Sequence, residues 1–405
     1  MQLSSGHHLT YCTNIHPAET WHKTFKAIKT HVPVVKDKIN WDASFGIGLR
    51  LSNRAAVELN REQNLNQFKQ WLAQHRCYVF TINGFPYGGF HRQKVKDHVH
   101  KPDWTTNERL EYTTLLIDIL AQLPAESETK GISTSPLSYK PWILTTGATK
   151  HEVMTKSTQN LLRAILHMHK LHEQTEQCIH LDIEPEPDGL IENTDEVITY
   201  FDTYLLPAGA DFLHKHAGIS RSNAEAVIKK HLQICYDVCH FAVEFEMPGQ
   251  SMLALKKSGI EIGKIQLSAA LKAQFDNQKE RNTLIKNEFA RLNEPTYLHQ
   301  VISKEDRGKL RRYTDLPEAL KSPNELNATE WRTHFHVPLF VEEYDELRST
   351  QGDIKDTLTL LKQDSVTSTK HLEIETYTWE VLPKRLQANL DDSIAREIDW
   401  VLNAI

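Results

Sequence analysis

His180-Leu181-Asp182-Ile183-Glu184-Pro185-Glu186-Pro187 decides how the rest of the chain is read. Successive side chains of a strand alternate between faces, so His180, Asp182, Glu184 and Glu186 share one face while Leu181 and Ile183 take the other. Pro185 and Pro187 cannot donate to a strand ladder, so the strand should stop there. The segment delivers a file of ionisable groups to the C-terminal end of a strand and then breaks into a loop. Buried carboxylates are costly unless they are paired or bound to a cation. The stretch is therefore either a polar edge strand beside water or a metal or acid–base site at the mouth of an α/β barrel.

Outward from this stretch, short strand-like runs alternate with longer helix-like ones about eight times. The strand-like runs cover 9–16, 44–52, 77–85, 131–139, the opening stretch, 234–245, 264–271 and 371–379. Residues 107–123, 151–175 and 393–404 have the apolar spacing of amphipathic helices. Alternation of this kind predicts a parallel sheet, and eight units predict a (β/α)8 TIM barrel of about 250 residues before insertions. The 405 residues are read as one domain, 1–405, with insertions near 86–106, 188–233 and 272–333. The last of these, charged and irregular, is placed to act as a lid over the mouth.

Hydrophobic residues make up 40% and charged residues 25%, which suits a globular enzyme. A net charge of -6 without a long basic run argues against a nucleic-acid partner. The 22 histidines enlarge the pool of metal ligands. Cys12, Cys77, Cys178, Cys235 and Cys239 form no C-x-x-C pair and lie in or beside apolar runs, as expected of small core residues in a reducing compartment. The first residues lack a charged-then-apolar leader, and no apolar run approaches the roughly 20 residues of a membrane span, so a cytoplasmic location is expected.

In a barrel the active site forms at the C-terminal ends of the strands. Polar residues expected there are Asn14 and His16 after strand one, Asn83 and His91 after strand three, and Glu184 after strand five. Strand six carries Asp237-Val238-Cys239-His240, strand seven Gln266 and Ser268, and strand eight Glu373 and Glu375, with His334-Phe335-His336 following the insertion. Glu184, Asp237, His240, Gln266, His334, His336 and Glu375 are the candidate metal ligands. Such oxygen and nitrogen donors suit Mn, Zn, Fe or Mg better than a thiolate site does. Each has a plainer alternative: Asp237 with His240 as a helix cap or ion pair, His334 and His336 as exposed edge residues, Glu375 paired with a base inside the barrel. Glu184 and Glu375 are the candidate catalytic carboxylates, and His16, Asn83, His91 and His180 the candidate substrate contacts. Gly88-Gly89 belongs to no phosphate-binding pattern and instead suits close approach to a ligand.

These motifs resemble the xylose-isomerase-like TIM barrels, which include sugar isomerases, ketose epimerases and endonuclease IV. The resemblance implies a divalent cation held by Glu184, Asp237 with His240, and Glu375, with Gln266 standing where a histidine is usual. His334-Phe335-His336 is similar to the Asp-x-His of the endonuclease branch, but His334 replaces the aspartate, so a three-metal nuclease site is not expected. More narrowly, the stretches 8–17, 81–88, 180–187 and 371–379 resemble the EboE "metabolite traffic" proteins. That likeness implies pathway enzymes of the same gene cluster as partners and a cyclitol or sugar-like small molecule as substrate. The reading it supports is a metal-dependent isomerase or epimerase of a polyhydroxylated small molecule in a secondary-metabolite pathway. Glu184 and Glu375 would move the proton and the cation would stabilise the enediolate. The alternatives are a non-catalytic metabolite-binding protein on the same fold and, less favoured, an endonuclease IV-like phosphodiesterase.

Overall fold

The computed structural model describes residues 1–91, 94–322, 328–363, 366–380 and 389–405. Seven strands come first: β1 His8–Tyr11, β2 Phe45–Arg50, β3 Cys77–Asn83, β4 Thr129–Thr134, β5 Cys178–Ile183, β6 Leu232–Asp237 and β7 Ile262–Leu267. Six more follow: β8 Ala269–Gln274, β9 Val301–Glu305, β10 Leu310–Tyr313, β11 Ala328–Val337, β12 Glu343–Tyr344 and β13 Leu347–Ser349. Strand β14, His371–Ile374, then returns to the first sheet. That sheet holds eight parallel strands in the order β1-β14-β7-β6-β5-β4-β3-β2. A parallel bridge between Cys12 and Gly48 links the two end strands, so the barrel is nearly closed. A Cβ on residue 48 would lie 2.7 Å from the Tyr11 carbonyl oxygen and 2.2 Å from Glu373 Oε1, so glycine is what lets this seam come together.

Strand β5 ends at Ile183, ahead of the two prolines. Strand six is shorter than its apolar run suggests: β6 stops at Asp237 and the helix Val238–Val243 begins at once. The cause is local. The Asp237 carboxylate accepts the His240 backbone N–H at 3.1 Å, an N-cap that aspartate makes well. The helix Lys150–Thr175 opens with a capping box between Thr149 and Glu152, and it buries Leu161, Ile165 and Met168 against the barrel. The closing helix Leu390–Ala404 buries Ile394, Ile398 and Val401, one stripe at the helical period.

The 272–333 stretch is not irregular. With its neighbours it builds a second, antiparallel sheet in the order β10-β9-β11-β8-β13-β12. Charged residues on the less buried positions, such as Glu330 and Arg332 of β11, interrupt the apolar pattern and hid these strands. The 188–233 stretch contributes the helices Thr194–Tyr200, Leu206–Ala217 and Arg221–His231. The 86–106 stretch is a loop with one short turn, Lys96–His100. Buried Arg109 fastens it by donating to the carbonyls of Gly84, Phe85 and Pro102 at 2.7–2.9 Å. Residues 92–93 and 323–327 of these stretches lie outside the described ones. No helix among the described residues is long and apolar enough to cross a membrane.

Inside the barrel, below the mouth, the filling is polar. Lys264 Nζ donates to Glu373 Oε2 at 2.7 Å and to Ser133 Oγ at 3.0 Å, with all three residues fully buried. His180 Nδ1 lies 2.6 Å from Asp182 Oδ1. Register shifts between β6 and β7 make Gly263 the extra residue there, and a Cβ on it would meet Asp182 Oδ1 at 2.0 Å. The base inside the barrel is thus taken by Glu373, and Glu375 is left for the mouth.

Candidate metal centre

Glu184 follows β5 directly, and its N–H donates to the Thr134 carbonyl at 2.9 Å. Glu375 follows β14, anchored by its N–H to the Leu267 carbonyl at 3.1 Å. Asp237 closes β6 between them. One carboxylate oxygen from each of the three lies within 4.8 Å of the others, and all three side chains are buried. Asp237 Oδ1 accepts from Ser268 Oγ at 2.6 Å, leaving Oδ2 without a partner. Glu375 Oε1 accepts from Asn14 Nδ2 at 2.7 Å and Asn83 Nδ2 at 2.9 Å. Glu184 Oε2 has no partner.

Three imidazoles adjoin these carboxylates. His336 Nδ1 donates to the Glu375 carbonyl at 2.8 Å, which leaves its buried Nε2 as an unpartnered lone pair. His240 Nδ1 donates to the Pro185 carbonyl at 3.1 Å, so its Nε2 is also a lone pair. Gln300 Nε2 donates to the Pro187 carbonyl at 3.0 Å, which fixes the amide; Gln300 Oε1 then accepts from His334 Nδ1 at 2.9 Å. His334 Nε2 therefore faces His240 Nε2 lone pair to lone pair, at 3.1 Å. Such a contact calls for a positive charge, either a proton or a metal cation. Burial pushes His240 down to about 4 and His334 well below the usual imidazole range, which disfavours the proton at neutral pH.

The carboxylates point the same way. Burial raises Glu184 to about 8, with the Asp237 charge adding to it. Burial and the charges of Glu184 and Asp237 push Glu375 well up, and burial does the same to Glu186. Burial also opposes ionisation of Asp237, but nearby His240 and His336 and the hydrogen bonds from Ser268 and the His240 N–H hold it low. Asp237, His240 and His336 form one group of close donors, and Glu186, His240 and His334 another. A buried set of unpaired oxygens and imidazole lone pairs fits a divalent cation.

Of the residues singled out in the sequence, Glu184, Asp237, His240, His334, His336 and Glu375 come together at this mouth. Asn83 joins them by holding Glu375. Gln266 is buried one step lower, where its Oε1 accepts from Cys235 Sγ at 3.1 Å; the strand-seven side chain that touches Asp237 is Ser268. His180 lies at the opposite end of the barrel, beside a cavity shared with His8 and Gln233. His16 sits outside the mouth, stacked on His31 at 4.2 Å. His91 contacts the Asn14 carbonyl and lies 3.2 Å from the Tyr297 hydroxyl, behind the cleft wall. Sequence reasoning placed Asn14 at the mouth without giving it a role, and it passed over Gln300 and His100, whose Nε2 is 3.0 Å from Glu186 Oε1. Asn14 stood in plain view at the end of strand one, whereas Gln300 and His100 lie in stretches without a readable period.

The mouth opens into a cleft with about 570 Å³ of open space, floored by these donors. No protein-family model and no curated sequence matches the chain. Among solved structures, a xylose isomerase-like TIM-barrel protein from Mycobacterium smegmatis in complex with magnesium is similar over 100% of this chain and 98% of that one, at 9% identity and a TM-score of 0.52. The IOLI protein with a binding zinc atom is similar over 98% and 97%, at 11% identity and a TM-score of 0.48. D-psicose 3-epimerase in the presence of D-fructose is similar over 98% and 99%, at 10% identity and a TM-score of 0.47. The first of these likenesses, at 9% identity, is one of architecture and agrees with the eight-stranded parallel barrel: the chain has the xylose-isomerase-like TIM-barrel fold.

Proposed function

We propose that the protein is a metal-dependent isomerase or epimerase of a polyhydroxylated small molecule. The observation that carries this reading is the meeting of Glu184, Asp237 and Glu375 within 4.8 Å, buried, with Glu184 Oε2 and Asp237 Oδ2 unpartnered. A divalent cation held by these three, with His240 or His336, would supply positive charge where a substrate oxygen gains negative charge. Glu184 and Glu375 stand on strands three places apart in the barrel and move the proton at the carbon between them. Asn14 and Asn83 keep Glu375 aimed, and Ser268 does the same for Asp237. The EboE likeness extends the proposal to a cytoplasmic step on a sugar- or cyclitol-like metabolite of a secondary-metabolite cluster.

The test is exchange of substrate C–H hydrogen with D2O across a panel of ketoses and cyclitol ketones, using metal-loaded protein. Wild type is expected to wash deuterium into at least one of them. Glu184→Gln is expected to slow this by about 10²–10⁴-fold and to lower metal content. Unchanged metal content together with unchanged exchange ends the proposal, and a tightly held polyol that never exchanges would instead mark a carrier.

A further inference from the structure

Above the carboxylates the cleft changes character. Phe90, Tyr297 and Tyr377 arrive from three separate stretches: the loop after β3, the insertion and the loop after β14. Their ring centroids lie 5.1–5.2 Å apart in all three pairs. With Val95 and Val99 they form a small apolar cluster distinct from the main core, and they line the same cleft as Glu184 and Glu375. Aromatic faces set over a polar floor offer a ligand a surface that rewards contact with apolar groups. A guanidinium or ammonium is the usual side-chain partner of a phosphate. Among the described residues the cleft is lined by one such cation, Lys96, and its Nζ is 2.6 Å from Asp315 Oδ2.

Resting on the polyol-isomerase reading, we propose that the substrate is an uncharged ring polyol bearing an apolar substituent, and that sugar phosphates are poor ligands. The hydroxyls face the carboxylate floor and the substituent lies against Phe90, Tyr297 and Tyr377. This arrangement accounts for a cleft with one polar and one aromatic side, and it assigns the insertion a part in choosing the substrate, through Tyr297.

The experiment uses the full chain loaded with Mn(II). Glucose, galactose and myo-inositol are each titrated as the parent compound, a phenyl derivative and a phosphate monoester, by calorimetry or ligand-observed NMR. At least one phenyl derivative should bind about tenfold more tightly than its parent, and no phosphate should bind more tightly than its parent. Tyr297→Ala should erase the phenyl gain. Because that change could loosen the insertion, Val99→Asp on the half-buried rim serves as a second variant, expected to erase the gain at wild-type Tm. The proposal is overturned if no phenyl derivative improves on its parent, if any phosphate does, or if the gain survives both variants. Deuterium exchange that persists without any phenyl preference would sink this inference alone. A phenyl preference with no effect of Glu184→Gln would sink the isomerase reading and leave the ligand preference standing.

Discussion

At the scale of single residues, the informative groups are those that orient the imidazoles. A ring nitrogen can serve a metal only when the other nitrogen carries the proton, and here backbone or amide oxygens enforce that state on His240, His334 and His336. Gln300 has the most replaceable of these roles, since it acts through a side chain. Gln300→Leu should therefore weaken metal affinity by about 10–100-fold, the usual effect of losing an outer hydrogen-bond partner, and also remove the tie to the Pro187 carbonyl. Competition against a chelating indicator measures this. Affinity equal to wild type would mean that His334 is not a ligand. The same scale explains which site residues could be read from sequence. Glu184, Asp237 and Glu375 announce themselves by alternation and by their place at strand ends. Gln266 misled because strand parity does not say how high along the barrel axis a side chain stands: Gln266 pairs in register with Asp237 and Glu373, whereas Ser268 reaches Asp237 itself. His180 misled for the same reason, being two layers below Glu184 on the same inward face.

At the scale of elements, the second sheet is a wall of the cleft as well as an insertion. Polar ties hold it to the barrel loops: Arg312 of β10 to Glu244 at 2.5 and 2.6 Å, Gln300 to the Pro187 carbonyl, Arg332 to the Ala242 carbonyl at 2.8 Å, and Lys96 to Asp315. Glu244 is buried, and burial raises it to about 7 even against the adjacent Arg312. Removing the guanidinium leaves this carboxyl without its partner, a loss of about 1–3 kcal/mol for a buried polar group. Arg312→Met is thus expected to speed hydrogen exchange in β9 and β10 while the barrel strands keep their protection, and adding Glu244→Gln should restore part of it. Exchange unchanged in β10 would show that the wall is held by its apolar contacts alone. Sequence gave little warning of this sheet because its strands are short, partly charged and antiparallel, set inside a chain whose dominant rhythm is strand, helix, strand. The barrel rhythm itself was legible from short strand-like runs set between long amphipathic helices, even though β5, β7 and β14 alternate apolar residues with inward His180, Asp182, Lys264 and Glu373. Strand six was misjudged at its end because a cap at Asp237 leaves no trace in periodicity.

At the scale of the whole molecule, the chain tolerates many ionisable groups in dry surroundings, and each of them ties stability to pH. Glu397, on the closing helix, is not one of the mouth donors, and its titration can be removed without changing any of them. Its Oε1 accepts from Thr376 Oγ1 at 2.7 Å and from the Leu339 N–H at 3.1 Å, and burial raises its carboxyl to about 8. In the unfolded chain a glutamate titrates near 4.3. Between these two values the folded state holds a proton that the unfolded state has given up, so rising pH favours unfolding. The contribution of this group is most favourable below the unfolded value, declines through the window from about 4.3 to about 8 with a slope of at most about 1.4 kcal/mol per pH unit, and is flat above it. Glu397→Gln keeps a neutral group of the same shape and removes the titration. Denaturant unfolding at pH 5, 6, 7 and 8 should therefore show wild type losing stability relative to the variant as pH rises. The difference between the two curves cancels the mouth carboxylates, which titrate alike in both proteins provided that metal is either saturating or absent throughout. Parallel curves would mean that Glu397 ionises in the folded state as readily as in the unfolded chain, stabilised as a carboxylate by its donors Thr376 Oγ1 and the Leu339 N–H.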